Sequence, residues 1–484
     1  MLIPERLSRS LRPALAVVLL GFSLSVLAAE NGIHGDPIAP VILGVTGLLF
    51  VALIGRFSAR KLGLPSVLGE LTIGIIAGNL AYYLDFSLIL VLREGSHVFD
   101  TLQQFLHQAT VDENVCGEVL NPANRKILDL LGGPHGADLL QIAHTVDVFS
   151  RYGIIFLLFM VGLETNLGEM RSVGGDSVRV AVIGVALPFI LGVAASYFFS
   201  STVNLHTALF LGAALGATSI GITVSVLEEL GVSQSRTARI VLGAAVFDDI
   251  LGLLMLAAIS GIVVSGGIDL VEISKVVVLA SLFLGGAIYL SPFFLDLIIG
   301  MMRQLDLVEA KMFVSYLFVM VLAWLANLAG LATIIGAFTA GVILHDAYFK
   351  YWGDATGHRL SIRDLIMPLE VILVPIFFVL MGLQVKLESF LDWQVVQLAA
   401  GLLLAAVLGK LFAGLGARRP INRMAIGFGM LPRGEVGLVF AAIGRELGVV
   451  NDALFSSLVM VVIITTLISP SLLKWSLRKC GPVI

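Results

Sequence analysis

Roughly a dozen stretches of about 20 apolar residues follow one another along this chain, and nothing else in the sequence limits its fold so strongly. Each is long enough to cross the hydrocarbon core of a bilayer as an α-helix. Of the 484 residues, 58% are hydrophobic and only 13% charged, and the mean hydropathy is +1.00. Ordinary globular chains run at about 45–50% apolar and about 25% charged. A soluble enzyme, a disordered chain, a nucleic-acid binder and a disulfide scaffold are therefore excluded. The fold class expected is an all-α polytopic membrane protein with almost nothing outside the bilayer. The net charge of −4 says nothing about partners, because the basic residues are sorted by side. Cys116 and Cys480 fall on opposite faces in the topology below and cannot pair, and neither belongs to a metal-binding spacing.

Residues 1–29 carry Arg6, Arg9 and Arg12, then an apolar run from Pro13 to Leu27, then Ala28-Ala29. That order reads as a secretory signal peptide, with an uncleaved extra helix as the alternative. Either way, the chain from Glu30 starts outside. Thirteen helices are then expected, at 38–56, 65–84, 148–167, 179–200, 207–230, 238–264, 270–298, 310–328, 331–347, 364–386, 393–416, 421–447 and 453–474. The positive-inside rule tests that layout. Loops placed in the cytoplasm, from Arg56, Arg60 and Lys61 to Lys474, Arg478 and Lys479, hold 18 of the 30 basic residues, whereas the outside keeps seven. The signal-like head holds three more, which leaves Lys410 and Arg433, both within apolar stretches. The bias puts the N-terminus outside and a short tail, 475–484, in the cytoplasm. One long loop, 86–147, belongs on the outer face with a short helix, and no function is assigned to it.

Self-comparison is more informative still. Phe156–Leu167 aligns with Ile376–Leu387 at an offset of 220, and Gly212–Gly231 with Gly429–Gly448 at 217, both of the latter ending in Glu-Leu-Gly. At 217, Asp248-Asp249 lands on Thr465-Thr466, and at 267 Leu68-Gly69…Thr72…Gly74 lands on Ile335-Gly336…Thr339…Gly341. The expected organisation is a first repeat at 38–264 with 86–147 inserted, a linker helix at 270–298, and a second repeat at 310–474. Six helices, a linker helix and six more force the second half upside down relative to the first. Inverted repeats are the architecture of secondary transporters, whose sites lie near the midplane where the halves meet.

Within the first repeat, Gly212-Ala-Ala-Leu-Gly216-Ala-Thr218-Ser219-Ile-Gly221-Ile-Thr223 is too rich in Gly and hydroxyls for an unbroken helix. Its mate, Gly427-Phe-Gly429-Met-Leu-Pro432-Arg433-Gly434-Glu435, contains a proline, which removes a backbone donor and clashes with the preceding turn. Two discontinuous helices that cross are expected, with half-helix dipoles and freed carbonyls aimed at a midplane cation. Tight packing through small residues is the other use of such segments. Between them, Asp248 and Asp249 sit in mid-span, each costing about 2.5–3.5 kcal/mol on insertion scales. Neighbouring positions lie about 100° apart on a helix, so the two acids take different roles. Lys410, the sole intramembrane lysine, is the partner for one. An ion pair that merely fixes packing explains one Asp but not both. Glu435 and Arg433 are supporting candidates, serving either half-helix dipoles or the ion. Glu164 and Glu70 lie near span ends, where solvated or capping roles are expected. His345 and His358 line an inner loop.

In this order, Leu68-Gly-Glu70-Leu, Phe159-Met-Val-Gly-Leu-Glu164, Ala217-Thr218-Ser219, Asp248-Asp249, Ile335–Gly341, Gly409-Lys410 and Pro432-Arg433-Gly434-Glu435 resemble the bacterial monovalent cation:proton antiporter-2 family, in particular its sodium/proton antiporters. The resemblance implies that Asp249 is the ion- and proton-binding carboxylate. It implies equally that Asp248 pairs with Lys410, and that Thr218 and Ser219 lie beside the ion. Asp-Asp with Lys is typical of electrogenic members, Asn-Asp of electroneutral ones. The potassium-efflux branch usually appends a nucleotide-binding domain, and with about ten residues after the last helix that branch is disfavoured. An elevator-like moving core, a scaffold and a homodimer also follow from the resemblance.

The function expected is exchange of Na⁺ or Li⁺ for H⁺ across a bacterial inner membrane, electrogenic, by a protein that is not an enzyme. Its partners are monovalent cations, protons and the lipid bilayer, without nucleic acid. It needs no cofactor and holds no metal beyond the transported Na⁺ at Asp249. A K⁺/H⁺ antiporter is the alternative, and a sodium-coupled organic anion symporter a more distant one.

Overall fold

The computed structural model describes residues 38–84, 86–94, 130–133, 136–164, 174–199, 203–219, 223, 226–227, 230, 232, 235–265, 270–301, 306–344, 348, 360–418, 421–433 and 435–479. Every regular element among them is helical. That follows from the composition, since an apolar segment in hydrocarbon has to pair its own N–H and C=O groups. In chain order the helices are α1 (Ala39–Lys61), α2 (Ser66–Tyr83), α3 (Ser87–Glu94), α4 (Gly136–Glu164), α5 (Gly174–Phe199), α6 (Leu205–Ala214), α7 (Arg236–Ser265) and α8 (Leu270–Met301). They continue with α9 (Leu307–Leu328), α10 (Thr333–Ile343), α11 (Ile362–Leu383), α12 (Trp393–Ala413), α13 (Arg423–Gly429), α14 (Glu435–Glu446) and α15 (Asp452–Lys479).

Among the described residues, nine helices are long and apolar enough to cross a membrane: α1, α4, α5, α7, α8, α9, α11, α12 and α15. Two of the remaining segments are shorter than expected, and the two expected as discontinuous helices are interrupted. The segment at 65–84 makes the 18-residue α2, and that at 331–347 shortens to the 11-residue α10. The segments at 207–230 and 421–447 are interrupted, at α6 and between α13 and α14.

The chain packs as two compact units. The first comprises Met1–Gly153 and Ile372–Leu387. Here α1 and α2 approach backbone to backbone, and a Cβ added to Gly69 would lie 2.1 Å from the Gly55 carbonyl oxygen. That approach brings Glu70, 1% exposed, to Arg56 at 2.8 Å. Glu70 is thus half of a buried ion pair rather than a solvated or capping residue. α2 meets α11 through Gly74, packed on the Val379 carbonyl, and Gly382, packed on that of Leu71. The start of the 86–147 segment is ordered as α3, whose Ile89–Arg93 are buried. Arg93 donates to Asn79 Oδ1 at 3.0 Å and lies over the Tyr82 ring, while Glu94 pairs with Lys386 at 2.8 Å. α4 begins at Gly136, well before the expected 148. Its first turns alternate Asp138, Gln141, His144 and Asp147 with buried Ile142, Ala143 and Val146, a pattern that a search for continuous apolar runs passes over.

The second unit comprises Ile154–Val371 and Glu388–Ile484. In it α5 packs along α12 and against α6 and α7, and α9 lies on α10. Gly336 of α10 sits on the Leu322 carbonyl of α9, and Gly162 and Gly341 bring α4 onto α10. α7 is the most enclosed of the nine long helices, with 65% of its apolar window buried, and α8 the least, with 17%. α15 continues to Lys479, so residues 475–479 of the tail expected from 475 are helical. The signal-like segment, the rest of the loop at 95–129, both cysteines, His345 and His358 lie outside the described residues.

Candidate functional site

The site is assembled inside the second unit, around α7. Asp248 and Asp249 stand near the middle of this helix, and α12 carries Lys410 toward them. Its approach depends on small residues. A Cβ on Gly409 would come within 2.6 Å of the Pro188 ring of α5, so only glycine lets α12 settle there. Gly184, one turn before that proline, faces the Lys410 ammonium, which lies 3.7 Å from where a Cβ would stand. Lys410 Nζ donates to Asp248 Oδ1 at 3.0 Å and Oδ2 at 3.3 Å, and to the Gly216 carbonyl at 2.6 Å. Both side chains are 0% exposed. Desolvating two ions costs several kcal/mol each and is offset only when geometry and extra hydrogen bonds are good, as the Gly216 contact provides. Asp249, 8% exposed, is the less enclosed of the two acids.

The interrupted helices meet beside this pair. Each half opens on an asparagine cap, Asn204 accepting from Thr207 N–H and Asn422 from Ala425 N–H. α6 ends at Ala214, and the chain leaves the helix over Leu215–Ser219. α13 ends at Gly429, and Met430–Arg433 are non-helical before α14 starts at Glu435. The breaks are laced together. Ser219 N–H donates to the Pro432 carbonyl at 2.8 Å, Thr218 Oγ1 to Met430 at 3.2 Å and Thr223 Oγ1 to Gly429 at 2.7 Å. Arg433 Nη1 donates to the Ala217 carbonyl at 3.0 Å, and Thr466 of α15 donates to the Arg433 carbonyl. The carbonyls freed by the breaks, expected to face a cation, therefore accept hydrogen bonds from the protein itself.

Of the candidates read from sequence, Asp248, Asp249, Lys410, Thr218, Ser219 and Arg433 gather here, all buried. Glu164 does not join them. It ends α4 and pairs with Arg363 at 2.6 Å, both groups partly exposed. Glu435 opens α14, and its side chain lies outside the described residues. Thr223 belonged to the hydroxyl-rich run read from sequence, whereas Gly184, Thr466 and the Gly216 carbonyl as a lysine acceptor were missed. Thr466 alone had a signal, as the repeat mate of Asp249.

A family model described as "Sodium/hydrogen exchanger, transmembrane" matches residues 126–479. The high-affinity Na⁺/H⁺ antiporter NhaS3 of Synechocystis sp. is 34% identical over 476 residues, covering 93% of this chain and 92% of its own. The Na⁺/H⁺-K⁺ antiporter GerN of Bacillus cereus is 32% identical over 367 residues, covering 72% and 88%. Among solved structures, the sodium proton antiporter MjNhaP1 from Methanocaldococcus jannaschii at pH 8 superposes with a TM-score of 0.58 over 91% of this chain and 98% of its own. At 17% identity that is a likeness of fold.

Proposed function

The chain belongs to the sodium/hydrogen exchanger family, and from that premise we propose that it exchanges Na⁺ (or Li⁺) for H⁺ by alternating access at the Asp248–Asp249 site. Members of this family are transporters rather than enzymes. The observation that carries the reading is the fully buried Asp248–Lys410 pair, docked on the carbonyl of a broken helix with Asp249 beside it. A soluble-style packing role would not require the second acid. Asp249 takes either the cation or a proton, never both, because one carboxylate cannot neutralise two positive charges in a low-dielectric setting. Thr218 and Ser219 line the same break and can offer oxygens to the ion, with Arg433 and Glu435 in support.

Entry of Na⁺ opens the Asp248–Lys410 contact, and desolvated Lys410 then gives up its proton. Two protons then exchange for one ion, and one elementary charge crossing 100 mV is worth about 2.3 kcal/mol, enough for the membrane potential to expel sodium.

The inverted-repeat organisation is supported by contacts that recur at the offsets found in the sequence. Gly74 on Val379 has its counterpart in Gly341 on Phe159, and Gly382 on Leu71 in Gly162 on Phe338. Gly69 on Gly55 corresponds to Gly336 on Leu322. The Gly216 carbonyl, bound by Lys410, corresponds to that of Arg433, bound by Thr466. The setting that goes with this reading is a bacterial inner membrane and a homodimer working as an elevator. The N-terminus would be outside after signal removal, and the C-terminus cytoplasmic.

The second reading, K⁺/H⁺ exchange, rests on the name of GerN. Everted vesicles carrying a pH-sensitive dye separate the two. NaCl should dequench the dye and KCl should not, and Asp249→Asn should abolish the response. Undiminished exchange by Asp249→Asn would remove Asp249 from the mechanism.

A further inference from the structure

Arg433 is 0% exposed. Its Nη1 is used by the Ala217 carbonyl, but Nε and Nη2, equally enclosed, have no hydrogen-bond partner among the described residues. These two N–H groups are the side-on fork of a guanidinium, a pair of parallel donors spaced to hold both oxygens of one carboxylate. Buried donors left unmade are costly, so an empty fork marks a position that another state of the molecule fills. Asp248 is the acid at hand: Lys410, which holds it, donates to the Gly216 carbonyl, and Arg433 donates to the next carbonyl along, that of Ala217. In the present state Lys410 holds that carboxylate through both oxygens, at 3.0 and 3.3 Å.

Resting on the exchange reading above, we propose that Arg433 offers Asp248 a second docking position: when a cation enters and the Asp248–Lys410 contact opens, the Asp248 carboxylate turns onto the empty Nε–Nη2 fork. Asp248 then keeps a positive partner throughout, and no buried carboxylate is stranded while Lys410 lets go. Arg433 touches neither ion nor proton in this scheme. It is a positioning residue, anchored to the first break through Ala217 and, through its own carbonyl, to Thr466. Two fixed points at the crossing give the acid two discrete seats, which is what a switching element needs.

The test uses the full-length protein and two substitutions. Lys410→Met removes the first seat, and an experimental structure of that variant should show both Asp248 oxygens about 2.7–2.9 Å from Arg433 Nε and Nη2. Arg433→Lys keeps the charge but has no fork. It should retain the Asp248–Lys410 pair and raise the KM for Na⁺ by about tenfold, the scale of one lost charge-assisted bond. A Lys410→Met structure whose fork stays empty, or is filled by Glu435, would overturn the proposal. So would a wild-type KM in Arg433→Lys, which also covers the case of a Lys410→Met protein that does not fold. Failure of the exchange reading has its own signature, an absence of sodium-driven proton flux in the wild type, while the geometry in Lys410→Met is read independently of transport.

Discussion

The Gly409-Lys410 pair divides its labour between adjacent atoms. Gly409 has no side chain because Pro188 occupies that space, and Lys410 is thereby brought to Asp248 and the Gly216 carbonyl. Gly409→Ala would place a methyl 2.6–2.7 Å from the ring and backbone of Pro188, which cannot swing away as a flexible side-chain tip could. Overpacking of this kind costs about 1–3 kcal/mol. The variant should melt several degrees below wild type in detergent and lose transport in proportion to the displaced ammonium. An unchanged melting temperature with normal transport would mean that α12 has slack against α5. At this scale the site was legible where charge gave it away, since Asp248, Asp249, Lys410 and Arg433 stand out in apolar surroundings. Thr466 did not, because a lone hydroxyl that bonds a carbonyl costs little in an apolar helix, whereas Thr223 was visible as part of a Gly- and hydroxyl-rich run. Glu70 and Glu164 show the reverse: their carboxylates were visible, but the partners Arg56 and Arg363 come from other helices.

The interrupted helices were legible as elements because Gly216, Gly221, Pro432 and Gly434 stand where an unbroken helix would want side chains and donors. What the residue pattern lacked was the lacing, in which each break satisfies the other's carbonyls. Thr223 contributes one such bond, to the Gly429 carbonyl at 2.7 Å in a buried position. Thr223→Val keeps the shape and removes the donor, leaving a buried acceptor without that partner at a cost of about 1–3 kcal/mol. Its expected signature is a lower melting temperature together with an altered KM for Na⁺, because the crossing loses part of its preorganisation. A shift in melting temperature alone would confine Thr223 to folding. Helix ends were read less well. α4 starts twelve residues ahead of its expected position because its amphipathic first turns never form a continuous apolar run. α10 stops at Ile343, short of the expected 347: Leu344 takes an extended conformation, and the polar His345-Asp346 follow it in sequence.

For the whole molecule, membrane embedding and helical class followed from hydrophobicity alone, whereas the division into two compact units rests on contacts between distant segments, such as 372–387 with the N-terminal helices, that hydropathy does not encode. The functional account reduces to a single competition at Asp249, with Asp248 and Lys410 arranged around it. Sodium-driven proton flux through liposomes containing the wild-type protein measures that competition directly when the KM for Na⁺ is followed against pH. If proton and ion take turns on one carboxylate, each weakens the other's binding equally. In the acidic part of the range, the KM should then rise by at least about tenfold for every unit that pH falls, one decade for the proton of Asp249 and up to a second for that of Lys410, at a constant maximal rate. A KM that stays level as protons accumulate would mean that the two cargoes occupy separate groups, and would contradict the account.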